Sequence, residues 1–220
     1  MDLLYTAHVP AGPGPFPTVV LLHGWGASAH DLLGLAPHLL GGQALVLCPQ
    51  GEVRMPVGPG VEGYGWFRLV PGAAPDVDEF RRRSDELHGW LDAALERYPI
   101  DRKRLFVGGF SQGGTMAFEL ALRDPGRFRG LAALSTWLPE LLADDLPKSP
   151  AHEELSVLML HGTRDPQVDV ERARESRERV RAFGVRLQYR EFEMAHEIRP
   201  EALRVVERWL AERALPAPGA

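Results

Sequence analysis

Ser111 stands in Gly109-Phe110-Ser111-Gln112-Gly113, a G-x-S-x-G pentapeptide. The apolar run Arg104-Leu105-Phe106-Val107-Gly108 precedes it, and the helix-like stretch Thr115-Met116-Ala117-Phe118-Glu119-Leu120-Ala121-Leu122 follows. Strand, G-x-S-x-G, helix is the context in which a serine rides a tight turn with its hydroxyl presented as a nucleophile. The flanking glycines suit a place where strand and helix approach too closely for a side chain. A serine hydroxyl attacks poorly at neutral pH, so the chain must also supply a base and a group to orient it. Asp165 and His196 are the candidates. Asp165 follows the apolar run Leu155-Ser156-Val157-Leu158-Met159-Leu160, and His196 follows Val185-Arg186-Leu187-Gln188-Tyr189-Arg190-Glu191-Phe192. Functional groups of open parallel sheets gather past strand ends of this kind. Of the eight histidines only His196 lies downstream of Asp165, which completes the chain order Ser, Asp, His. Asp169 is the rival acid, although it reads better as the cap of a following helix. His23 and His161 read as loop supports.

Acyl transfer needs, besides these three, donors for the oxyanion of the tetrahedral intermediate. The backbone N–H of Gln112, next after the nucleophile, is one. Pro17-Thr18-Val19-Val20-Leu21-Leu22 reads as an early strand, and the loop after it, His23-Gly24-Trp25-Gly26, offers the Trp25 N–H as the second.

Leu22-His23-Gly24-Trp25-Gly26, Gly109-Phe110-Ser111-Gln112-Gly113-Gly114, His161-Gly162-Thr163-Arg164-Asp165-Pro166-Gln167-Val168 and Met194-Ala195-His196-Glu197-Ile198 together resemble the phospholipase/carboxylesterase family of small α/β-hydrolases. That family includes the acyl-protein thioesterases. The resemblance spans about residues 17–210. It implies Ser111, Asp165 and His196 as a triad, Trp25 and Gln112 as oxyanion donors, and hydrolysis of ester or thioester bonds without a cofactor. The chain departs from the family around the substrate. Trp66-Phe67-Arg68 stands where thioesterase-like members usually show Trp-Phe-Asp, and Ser135-Thr136-Trp137-Leu138 where they usually show Ser-Gly. These departures bear on acyl and leaving-group preference and not on the chemistry.

The 220 residues are expected to form one α/β domain, with residues 215–220 as a frayed tail. Apolar and polar runs alternate as strands and helices, the pattern of a mostly parallel sheet covered by helices on both faces. Helices are expected over residues 31–40, 76–98, 169–183 and 201–214. The one over 76–98 lays Phe80, Leu87, Leu91, Leu95 and Tyr98 along a single face, and the last buries Leu203, Val206 and Leu210. The helix over 169–183, laced with charge, reads as a solvated outer helix.

Residues 51–75, rich in glycine and proline, read as an irregular loop lining the pocket with Trp66 and Phe67. Residues 137–150 read as a short excursion in place of a large cap domain. Trp137 and Leu138 belong to it as substrate contacts, and Leu141, Leu142 and Leu146 could shelter an acyl chain or simply pack.

A net charge of −5 without a basic block gives nucleic acid or an anionic membrane nothing to hold. One cysteine, Cys48, excludes an internal disulfide, and no metal-ligand spacing stands out. With no leader-like start and no apolar run long enough to span a bilayer, a cytoplasmic location is expected. The reading is a serine esterase taking short to medium acyl esters, with thioesterase or lysophospholipase action on longer chains as the alternative. A non-catalytic binding protein on the same fold would be expected to lack one of the three groups. A serine peptidase would be expected to carry a larger selecting domain.

Overall fold

The computed structural model describes residues 3–70 and 75–215. The strands Tyr5–His8 (β1), Phe16–Leu22 (β2), Leu45–Pro49 (β3), Ile100–Phe110 (β6), Gly130–Leu134 (β7), Ser156–Gly162 (β8) and Arg186–Phe192 (β9) make one seven-stranded sheet, and Val53–Gly58 (β4) and Val61–Gly65 (β5) make a separate hairpin. The strand order is β1-β3-β2-β6-β7-β8-β9. Within this sheet only β1 runs antiparallel to its neighbour; β3, β2, β6, β7, β8 and β9 are mutually parallel.

Because successive strand residues face opposite ways, the sheet builds two cores. Val20, Leu22, Leu45, Leu47, Val107 and Met159 share one with residues of helices Val77–Arg97 (α1), Gln112–Arg123 (α2) and Val170–Arg181 (α4). Val19, Leu21, Val46, Phe106, Leu158 and Leu160 share the other with helix Pro200–Ala214 (α5) and the 3-10 segment Leu33–Gly42. Cys48 is buried in this second core, and burial pushes its thiol up to about 12, far from thiolate chemistry.

Several expectations need correcting. Residues 31–40 form no α-helix. Pro37 interrupts the hydrogen-bond ladder, Leu40 takes a φ of 52°, and the result is 3-10 turns over Leu33–Gly42. The supposed irregular loop 51–75 contains the hairpin of β4 and β5, turned at Pro59-Gly60; residues 71–74 lie outside the described residues. Gly63 and Gly65, which look like strand breakers, are close-approach positions. A Cβ on Gly63 would strike the Gly26 carbonyl, and one on Gly65 the Trp25 ring. In α5 the buried residues are Ala202, Val206, Trp209, Leu210 and Ala214, whereas Leu203 is only partly covered. The edge strand β1 had no counterpart in the sequence reading. Within the excursion, helix Glu140–Asp144 (α3) buries Leu142 and exposes Leu141. Of the supposed tail, residues 216–220 lie outside the described residues.

Candidate active site

Ser111 lies between the last residue of β6 and the first of α2 with φ 54° and ψ −123°. A non-glycine residue held at positive φ costs about 1–3 kcal/mol and survives only where the surroundings enforce it. Here they do. Ser111 N–H donates to the Leu134 carbonyl at 2.9 Å, and the Thr136 hydroxyl donates to the Ser111 carbonyl at 2.6 Å. A Cβ on Gly109 would collide with the Gly113 carbonyl, and one on Gly113 with the Leu22 carbonyl, so both motif glycines are steric requirements.

Asp165 and His196 meet beside this turn. The β8–α4 loop and the loop after β9 are stitched together by Thr163 N–H to the Phe192 carbonyl at 2.8 Å and Arg164 N–H to the Met194 carbonyl at 3.1 Å. Gly162 is needed where they cross, since a Cβ there would strike the Met194 and Ala195 carbonyls. His196 Nδ1 lies 2.7 Å from Asp165 Oδ2. Asp165 Oδ1 accepts the N–H groups of Gln167 and Val168, both at 2.9 Å, which fixes the carboxylate. The His196 ring packs on Phe110, the residue before Ser111, with centroids 4.7 Å apart. Asp169 is exposed and caps α4 through Glu171 N–H at 2.8 Å.

His161 Nε2 sits 2.8 Å from the Val168 carbonyl and 3.6 Å from Asp165 Oδ2. Burial holds the His161 pKa below the ordinary histidine value. His23 accepts the Gly51 N–H at Nε2, 3.0 Å, and its Nδ1 faces the Gly24 carbonyl at 2.8 Å. Burial lowers its pKa as well.

The loop after β2 lies against the serine, for a Cβ on Gly24 would come 3.4 Å from Ser111 Cβ. Among the described residues neither the Trp25 nor the Gln112 N–H has an acceptor. Both therefore remain open as donors next to Ser111. The Gln112 side chain has a different task. Its Oε1 accepts the Trp66 N–H at 2.8 Å, and its Nε2 donates to the Phe67 carbonyl at 2.6 Å. Trp66 Nε1 donates to the His23 carbonyl at 2.9 Å.

Trp66 and Phe67 are consequently buried, at 2% and 0% exposure, and brace the site from behind instead of lining a pocket. Leu138, at 1%, is likewise core. Of the four proposed substrate contacts only Trp137 lines the adjoining cavity, which measures about 880 Å³. Trp25, Leu69, Val70 and Leu141 give it an apolar side; Gln167, Arg172, Glu175 and Arg179 add polar groups. The α4 contribution departs from the expectation of a solvated outer helix. The spacing 172, 175, 176, 179 is one helical face and was the available signal. Among the described residues no group of histidine, cysteine, aspartate and glutamate side chains has metal-binding geometry, and no helix is long and apolar enough to cross a membrane.

A mostly parallel sheet with a serine on a strained strand-to-helix turn, and an aspartate–histidine pair on loops after later strands, defines the α/β-hydrolase class. Residues 10–213 match the Phospholipase/Carboxylesterase family, and the chain belongs to it. It is 27% identical to acyl-protein thioesterase 1 of Gibberella zeae over 94% of each chain. Among solved structures it superposes on esterase PE8 with a TM-score of 0.81 at 23% identity, covering 97% of this chain and 100% of that one. It also superposes on Zea mays acyl-protein thioesterase 2 with a TM-score of 0.76 at 23% identity, covering 96% and 100%. At these identities the two structures speak for the fold alone.

Proposed function

We propose that the protein is a serine hydrolase cleaving carboxylic esters of short to medium acyl chains through an acyl-enzyme. The observation that carries this reading is the 2.7 Å His196–Asp165 pair packed on Phe110 beside the strained Ser111. With Nδ1 donating to Asp165, Nε2 is the nitrogen left to act as base. Ser111 Oγ attacks the acyl carbonyl and passes its proton to His196 Nε2. The resulting oxyanion is held by the Trp25 and Gln112 N–H groups, each worth about 3 kcal/mol to the transition state. The C–O bond to the alcohol then breaks, and the leaving oxygen takes the proton from His196. Water repeats the sequence on the acyl-enzyme and releases the acid. Asp165 keeps the imidazole in the right tautomer and balances its charge while remaining ionised.

The cavity supports the chain-length preference. Its apolar side offers contact worth at most about 0.8 kcal/mol per methylene. Glu140, Glu175 and Arg179 interrupt that surface, and a long alkyl chain crossing them would strip water from charges. A second reading, hydrolysis of longer acyl thioesters, draws on the full-length similarity to an acyl-protein thioesterase. Both readings share Ser111.

Ser111→Ala is expected to lower kcat by about 10³-fold or more, because nucleophile and base act as a unit. A fluorophosphonate probe should label the parent at Ser111 and leave the variant unlabelled; labelling elsewhere or retained activity would refute the assignment. Oxyester and thioester panels of increasing acyl length separate the two substrate readings.

A further inference from the structure

Arg172 is the charge near the site that the proposed chemistry leaves without a task. Its guanidinium carbon lies 5.0 Å from the centroid of the Trp137 ring, and both residues line the cavity. Among the described residues its side chain has no carboxylate within salt-bridge distance. The other cavity arginine, Arg179, is held by Glu175 at 3.3 Å, Glu140 at 3.9 Å and the Leu138 carbonyl at 3.2 Å. Stacking on an indole occupies one face of a guanidinium and leaves its N–H edge free, and that planar edge matches a carboxylate through two parallel hydrogen bonds.

Position adds to the chemistry. The Trp137 carbonyl accepts from the Thr115 hydroxyl at 2.8 Å, so Trp137 is anchored to α2, the helix that starts at the serine turn. Arg172 lies in the first turn of α4, just past the Asp165 loop, while Glu175 and Arg179 sit on later turns. Trp25, an oxyanion donor in the reading above, and Gln167, two residues past Asp165, line the same cavity as Arg172.

We propose that Arg172, backed by Trp137, selects acyl esters that carry a carboxylate a short spacer away from the scissile carbonyl. The inference rests on the Ser111 reading above. Three carboxylates share the cavity, namely Glu140, Asp144 and Glu175. Glu140 and Glu175 are engaged by Arg179, and Asp144, the last residue of α3, is the one that would favour an amine-bearing substrate instead.

The test compares p-nitrophenyl hexanoate, mono-p-nitrophenyl adipate and the p-nitrophenyl ester of ω-aminohexanoate on the parent, Arg172→Gln and Arg172→Glu. The parent should favour the adipate over the neutral ester about fivefold in kcat/KM, the upper range for an exposed ion pair. That preference should shrink in 1 M salt. Arg172→Gln should bring the two to parity, and Arg172→Glu should reverse the order. A parent that shows no preference, prefers the amine, or keeps its preference in Arg172→Gln overturns the inference. Hexanoate turnover and fluorophosphonate labelling report separately on the Ser111 reading. Loss of both sinks that reading, whereas normal turnover without charge selection sinks only this one.

Discussion

Two aspartates four positions apart compete for the same role, and their surroundings separate them. Asp165 is 8% exposed, accepts two backbone N–H groups, and turns its second oxygen to His196. Asp169 spends its carboxylate on the α4 N-terminus. Asp165→Asn is expected to cut kcat by about 10⁴-fold, as when the wrong histidine tautomer is imposed. Asp169→Asn should leave kcat within about twofold, since asparagine caps a helix as well as aspartate does. Steady-state kinetics on both variants checks the ranking, and the reverse order would hand the acid's role to Asp169. These residues were legible because type, order and strand-end position all bear on them. The roles of Trp66 and Phe67 were not. Aromatic type and proximity to a pocket-forming loop look the same in sequence whether a ring faces substrate or core. Only the Gln112 side chain, reaching back to both backbones, decides that they brace the site.

Among the elements, the serine turn depends on the end of β7 and the loop after it as much as on its own glycines. Thr136, 2% exposed, gives its hydroxyl to the Ser111 carbonyl, and a Cβ on the neighbouring Gly114 would run into its side chain. Thr136→Val keeps the shape and removes the hydrogen bond. A bond of this kind is worth about 1 kcal/mol, and a turn held in a strained conformation should register the loss as a kcat drop of roughly five- to tenfold with KM within twofold. Thr136→Ser should restore the rate. A change in KM alone, or no rescue by serine, would mean that Thr136 only fills space. The core strands and α2 could be read from continuous apolar runs, being buried all round, and α1 and α5 from the spacing of one apolar face, whereas α4 showed only its charge pattern. The β4–β5 hairpin could not, since its glycines answer to contacts with Gly26 and Trp25, residues far away in sequence. The 3-10 segment escaped for a related reason. Leucine spacing suggested a helix, and Pro37 with Gly41 and Gly42 overrode it.

Across the whole molecule, proton uptake links the site to the stability of the fold through two windows of pH. His23 and His161 have pKa values held below the ordinary 6.5, in each case chiefly by burial. As pH falls the unfolded chain takes those protons first, so their contribution is complete above about 6.5 and declines below it, levelling once the folded protein is protonated too. Glu191 acts in a lower window. Its hydrogen bonds from Arg174, reinforced by Tyr189, bring it from 4.5 down to about 2. A depressed carboxylate stabilises above its unfolded value, and that stability is lost as pH falls through the folded one. Glu191 also joins β9 to α4, the two elements whose loops carry His196 and Asp165. The urea midpoint is therefore expected to be flat from pH 8 to 7, to decline below about 6.5, and to decline again below about 4.5. Glu191→Gln should make the second decline shallower and keep the first, since glutamine cannot bind the proton while Asp101, Asp145 and Glu178, also depressed by arginine partners, still can. Denaturation curves at half-unit pH intervals on both proteins provide the comparison. If the variant loses stability below pH 4.5 as steeply as the parent, the acid limb belongs to other carboxylates and the Arg174–Glu191 bond does not set it.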